Sequence, residues 1–353
     1  MAIRSIGDSA RLTGIILAAV LMIAPFARAA EPSTTNLRKL TVAAGSTSFA
    51  WLPLYVAVGA GYFKDEGLSV EIIPVAANTT PIAAILSGGA DIAGIGVQAA
   101  FAAADKHQRV KILTPMTTEY TSIIFARKTI LKERGVSRNA PLKDRIAALK
   151  GLRLATTAVG AGPDLMYRFL FATYAPEIDP DRDVTIVPIG DSRNTLAAMS
   201  KGLIDVSAFS PPVPQKAVAD GYADVLIDTI AGDVPAAQGL IYTALAVTEQ
   251  KSKTDAAALR GFVRAIARAD LLVHEDIVEA GKAARSFMSQ MDSNLYDAGV
   301  RAMVPAIPKT PEVPVDGLKK YMALLNVGKF HYSVDYDMLT VNDLVGQALA
   351  EKK

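Results

Sequence analysis

Residues 79–105 read TTPIAAILSGGADIAGIGVQAAFAAAD, and residues 192–220 read SRNTLAAMSKGLIDVSAFSPPVPQKAVAD. In the first stretch Thr80 precedes Pro81 as an N-cap before an N1 proline, so a short helix is expected to about Ser87. In the second, Ser192 opens a helical stretch, Arg193–Ser200, that ends at Lys201-Gly202. Each helix is followed by a glycine, an aspartate that starts a buried strand (Asp91, Asp205), a loop of small residues and another helix. The two aspartates stand 114 residues apart. Two α/β units built alike explain this pattern; chance similarity between Ala-rich segments is the competing explanation. Ligands in open α/β sheets sit outside the carboxyl ends of the strands. The loops Gly94–Gln98 and Phe209–Pro212 would then border one cleft.

Outward from this pair, strand-length apolar runs alternate with helical patterns, the signature of an α/β protein with mainly parallel sheet. Candidate strands are Thr41–Ala44, Leu68–Val75, Asp91–Ile95, Val110–Pro115, Arg153–Thr156, Val184–Pro188, Asp205–Phe209 and Ala223–Ile227. The runs TSIIFARKTI (121–130) and GLIYTALAVTEQ (239–250) read as an outgoing and a returning strand between two domains, which makes the first domain discontinuous. The expected division is 38–122 with 241–353 for one lobe and 123–240 for the other. The last third is helical: Leu259, Phe262, Val263 and Ile266 form an apolar stripe, with Arg260, Arg264 and Arg268 on a face expected to be solvated. A closing helix is expected at about Asn342–Ala350.

The N-terminus reads as a secretory signal peptide, residues 1–29. Arg4 and Arg11 precede a nearly continuous apolar run, 12–26, and Ala27-Arg28-Ala29 offers a small-residue cleavage pattern. An exported, periplasmic chain is therefore expected, cleaved near Ala29 or Ala30. Removing this segment takes away Arg4, Arg11, Arg28 and Asp8, so the formal +2 of 37 basic and 35 acidic residues falls to neutrality. A neutral chain without basic runs does not suit nucleic acid. The 353 residues suit two domains, and 51% apolar content excludes a largely disordered chain. The absence of cysteine removes disulfides, thiol catalysis and cysteine-based metal sites. The three histidines, His107, His274 and His331, have no i, i+4 spacing. No metal or other cofactor is expected.

Three turns could carry chemistry. Gly94-Ile95-Gly96-Val97-Gln98-Ala99 matches the dinucleotide fingerprint G-x-G-x-x-A, but it follows the third strand instead of the first. The blander reading is a loop that lets a ligand approach while the amides of the next helix face it. Thr156 to Asp164 is a second such turn, without the lysine of a P-loop. Gly45 to Pro53 joins small hydroxyl residues to Trp51, the only tryptophan, which either stacks on a ligand or packs in the core. No serine has a recognisable basic partner, and G-x-S-x-G is absent, so hydrolysis is disfavoured.

LPLYVAVGAGYFKDEGLSVEII (52–73) followed by TPIAAILSGGADIAGIG (80–96) resembles the nitrate/sulfonate/taurine group of periplasmic substrate-binding proteins, relatives of the thiamine-pyrimidine precursor binders. The resemblance runs from about Leu40 to about Ser333. Its most specific elements are Gly61-Tyr62-Phe63, Glu66-Gly67-Leu68 and Gly89–Gly96. It implies a type II periplasmic binding fold: two α/β lobes joined by two crossing strands over a ligand cleft. It implies the solute-binding role of an ABC transporter, with a membrane permease and its ATPase as partners, no catalysis and a monomer.

By position the resemblance assigns ligand contact to Ser46, Thr47, Ser48, Phe49 and Trp51, to Thr79 and Thr80, and to Gly96, Val97 and Gln98. It adds Thr156, Thr157, Gly160, Ala161 and Gly162, then Asp191 and Ser192, and finally Ser210 and Pro211. Ser210-Pro211-Pro212 departs from the aromatic-Asp-Pro that taurine and alkanesulfonate binders often carry, which leaves an ammonium without its acidic partner. Arg193 either adds a charge for an anion or faces solvent. The solute expected is a sulfonate, carboxylate, nitrate or vitamin-like heterocycle. An exported enzyme using the same cleft, or a sensing lobe for a receptor, is the alternative.

Overall fold

The computed structural model describes residues 37–44, 48–74, 80–328 and 330–351. The expected signal peptide and three expected ligand contacts, Ser46, Thr47 and Thr79, lie outside them. Ten strands are present among the described residues: β1 (Arg38–Ala44), β2 (Leu68–Pro74), β3 (Ile92–Gly96), β4 (Val110–Thr117), β5 (Ile123–Arg127), β6 (Arg153–Thr156), β7 (Thr185–Pro188), β8 (Val206–Phe209), β9 (Ala223–Ile227) and β10 (Thr243–Thr248). Eight are the candidate strands. The other two, β5 and β10, come from the runs read as crossings.

The strands form two sheets of like plan, ordered β2-β1-β3-β10-β4 and β7-β6-β8-β5-β9. In the first, β1 pairs in parallel with β2 and β3, while β10 is antiparallel to β3 and β4. In the second, β6 pairs in parallel with β7 and β8, while β5 is antiparallel to β8 and β9. The mainly parallel expectation thus holds with one exception per sheet. Each exception is the strand that arrives from the other sheet and so runs in from the opposite end.

The aspartates of the repeat stand one residue before their strands, because their carboxylates hold the neighbouring strand. Asp91 accepts the Thr41 N–H at 2.8 Å and the Thr41 hydroxyl at 3.1 Å, and its own N–H donates to the Thr41 carbonyl at 3.1 Å. Asp205 accepts the Arg153 N–H at 3.0 Å, and its own N–H donates to the Arg153 carbonyl at 3.0 Å. A cation supplied by the antiparallel strand completes each set: Lys251, just past β10, at 2.6 Å from Asp91, and Arg127, ending β5, at 3.4 Å from Asp205.

Helix Ala256–Glu275 buries Leu259, Phe262, Val263 and Ile266 over the first sheet, in one core cluster with Leu40, Val42 and Leu245. Its arginine face is not simply solvated. Arg264 pairs with Glu66 at 2.6 Å and with Glu351, Arg260 with Glu351 at 2.6 Å, and Arg268 with Asp65 at 2.8 Å. The helix Tyr62–Asp65 and the chain end after the closing helix Asn342–Ala350 lie against this face and supply the carboxylates.

Candidate functional site

The carboxyl ends of β3 and β8 face one cavity of about 170 Å³. Ser48, Ala50, Trp51, Gly96, Gln98 and Thr243 line it from the first sheet and its loops. Thr157, Ala161, Gly162, Pro163, Ala208, Phe209 and Ser210 line it from the second. Ser122 and Tyr242 come from the two segments that connect the sheets.

Three glycines shape its walls. A Cβ at Gly94 would lie 3.1 Å from the Trp51 indole, closer than an ordinary contact, so glycine lets the ring approach β3 closely. A Cβ at Gly96 would lie 2.5 Å from Oε1 of Gln98. At Gly162 it would collide with the Tyr242 hydroxyl, which is held in place by Ser122 at 2.7 Å. The G-x-G-x-x-A motif is thereby explained without a dinucleotide: its glycines admit an indole and an amide to the wall.

The polar groups are arranged in hydroxyl pairs. Ser210 bonds Thr121 at 2.7 Å, Ser122 bonds Tyr242 at 2.7 Å, and Thr243 bonds Thr117 at 2.8 Å. Either oxygen of each pair can be the donor, so these hydroxyls can adapt their hydrogens to what they meet. The Ser48 hydroxyl accepts the Ala50 N–H at 3.0 Å and keeps its own hydrogen. Gln98 Oε1 accepts the Tyr321 hydroxyl at 3.1 Å, which leaves the amide's NH2 as the free end. Burial pushes the Tyr242 hydroxyl above its ordinary pKa against the opposing hydrogen bonds from Ser122 and Tyr120, so it stays a neutral donor. Among the described residues no charged side chain lines the cavity. The nearby Asp164, fully buried at the start of helix Gly162–Tyr174, is matched by Arg168 at 3.0 Å and by the Gly160 N–H at 2.8 Å.

Of the expected contacts, the structure brings together Ser48, Trp51, Gly96, Gln98, Thr157, Ala161, Gly162 and Ser210. Others support the walls from behind. Phe49 is buried edge-on to Tyr296 at 5.3 Å and donates its N–H to the Pro211 carbonyl at 3.0 Å, tying the two rims together. Val97 is buried and donates its N–H to the Tyr242 carbonyl at 3.0 Å. The Thr156 hydroxyl closes its own turn on Ala158 at 3.0 Å. Thr80 caps the helix Pro81–Leu86 and is exposed. Asp191 caps the helix Ser192–Ser200 through the Asn194 N–H at 2.8 Å. Ser192 and Arg193 line a different groove, of about 610 Å³, with Pro212, Phe287 and Met291.

Sequence reasoning missed Ser122, Tyr242 and Thr243. Their signal lay in the crossing runs themselves: segments that pass between two sheets must floor the space between those sheets.

Two α/β units sharing a crossed floor under one uncharged cavity define a type II periplasmic binding fold. The match to the NMT1-like family model over residues 34–286 places the chain in that family. A curated Bacillus subtilis (strain 168) relative, YtlA, is 26% identical over 187 residues, 53% of this chain and 53% of that one, so the chain spans about half the length of the curated relative it matches. Among solved structures, a Bordetella bronchiseptica RB50 protein superposes with TM-score 0.74 at 21% identity, over 88% of this chain and 96% of its own. The ligand-binding component of an ABC-type import system from Staphylococcus aureus, with zinc bound, reaches 0.68 at 14%, over 88% and 99%. The periplasmic nitrate-binding protein NrtA of Synechocystis PCC 6803 reaches 0.66 at 15%, over 89% and 88%. Among the described residues no helix is long and apolar enough to cross a membrane, and no group of three or more His, Cys, Asp or Glu is placed to hold a metal ion.

Proposed function

We propose that this chain is the periplasmic solute-binding component of an ABC importer, which captures a small molecule between two lobes and presents it to a membrane permease. Residues 38–122 with 241–353 form one lobe in this reading, and 123–240 the other. The observation that carries it is the hydroxyl-lined cavity, uncharged among the described residues and bordered by equivalent loops of both sheets, with Ser122 and Tyr242 of the connecting segments in its lining. A solute touching both walls stabilises the closed form by its differential affinity over the open one. The ligand-contacting residues are Ser48, Trp51, Gly96, Gln98, Thr157, Ala161, Gly162 and Ser210, joined by Ser122, Phe209, Tyr242 and Thr243.

The reading is binding without turnover and a monomeric, exported protein. Its support is chemical: among the described residues the lining offers hydroxyls but no histidine, lysine or carboxylate to activate one. Native mass spectrometry of protein purified without refolding tests it directly. A retained small molecule that leaves unchanged in mass supports capture; conversion of that molecule at a useful rate overturns it.

A further inference from the structure

We infer that the solute is a small aromatic monocarboxylate, a single ring bearing one carboxylate, about the size of benzoate. This rests on the binding-protein reading and narrows it.

Size comes first. Cavities of about 150 Å³ admit benzene, and this one is about 170 Å³, which leaves room for one small substituent. Shape and apolarity follow from the walls. Trp51, Phe209 and Tyr242 line the cavity, so part of its wall is aromatic and suits an apolar planar body. An ion as small as nitrate would leave those faces against water.

Charge follows from the hydrogens. The Ser48 hydroxyl and the Gln98 amide offer hydrogens, and the hydroxyls of Ser210, Tyr242 and Thr243 can turn one toward a solute. A carboxylate only accepts. Among the described residues no acidic side chain stands in the lining to pair an ammonium, and no cationic one to carry a second negative charge. The helix Val97–Asp105 adds its first turn, which has no acidic residue and no side-chain cap, a setting that favours one negative charge.

The test uses Trp51, the chain's only tryptophan, as a reporter inside the cavity. Titrating the mature protein with benzoate should change its fluorescence saturably and raise its melting temperature. Benzylamine and phthalate should bind weaker by about a hundredfold. Benzyl alcohol binding as tightly as benzoate would overturn the charge assignment. Nitrate or methanesulfonate binding tightly where benzoate does not would overturn the class and leave the capture reading standing. No binding by any of these, with no molecule retained by the native protein, would overturn both.

Discussion

β3 and β8 begin alike and end differently. At their starts Asp91 and Asp205 each bond the preceding parallel strand and take a cation from the antiparallel strand beside them. At their ends, in the same register, Gly94 and Gly96 stand where Ala208 and Ser210 stand in the other sheet. Gly96 and Ser210 both border the cavity, one admitting the Gln98 amide and the other offering a hydroxyl. The scaffold end of the repeat is thus kept by backbone hydrogen bonding, which any copy of the unit needs. The cavity end is free to diverge, because two unlike walls are what recognise a solute without two-fold symmetry.

The sharpest probe of the scaffold end is a carboxylate that lacks its partners. Asp270 is fully buried on the helix Ala256–Glu275, and neither of its oxygens has a hydrogen-bond partner. Burial pushes its carboxyl well above the usual range. Above about pH 4 the unfolded chain ionises this group and the folded one does not, so folding stability falls as pH rises towards the folded pKa, by about 1.4 kcal/mol per pH unit. Asp270→Asn should therefore match the natural protein near pH 4 and exceed it increasingly up to neutral pH in urea unfolding. Parallel pH curves for the two proteins would show that the carboxyl finds a partner or water.

Asp205→Ala comes next. Burial raises the Asp205 carboxyl, but hydrogen bonds and charge from Arg153 and Arg127 outweigh it and hold it below the ordinary value. Its contribution is present above about pH 4 and lost as pH falls through the folded pKa. With Asp205 only 5% exposed, the substitution should cost about 3 kcal/mol at pH 7 and flatten the acid limb. At Asp91 burial likewise raises the carboxyl, and Lys251 and Thr41 outweigh it. Its side chain is 27% exposed, so Asp91→Ala should cost less, about 1–2 kcal/mol. A larger loss at Asp91 would break the ranking by burial.

The cavity end is probed by exchanging the aligned pair. Gly94→Ala puts a methyl against the Trp51 indole and should shift its emission and cost about 1 kcal/mol or more. Ala208→Gly should cost about 0.5–1 kcal/mol and leave the emission of the ligand-free protein unchanged. Equal spectra for both variants would mean that the indole does not depend on Gly94.

Much of this was legible along the chain because it is periodic or local. Eight strands, the capped helices and the repeated aspartates follow from alternating hydrophobicity and from N-cap and glycine signals, which act within a few residues. Half of the cavity lining could be named because a loop after a parallel strand faces the cleft wherever the strand ends. The arginine face of helix Ala256–Glu275 was misread because its carboxylates, Asp65, Glu66 and Glu351, are supplied from distant parts of the chain.

The sequence by itself determined the two α/β units and their common plan, since each rests on spacing within a segment. Only the tertiary structure decided which loops share a cavity, that Ser122 and Tyr242 floor it, and that among the described residues no charged side chain lines it. Those properties arise from residues far apart in the chain, set against one another only when the two sheets pack across their crossing strands.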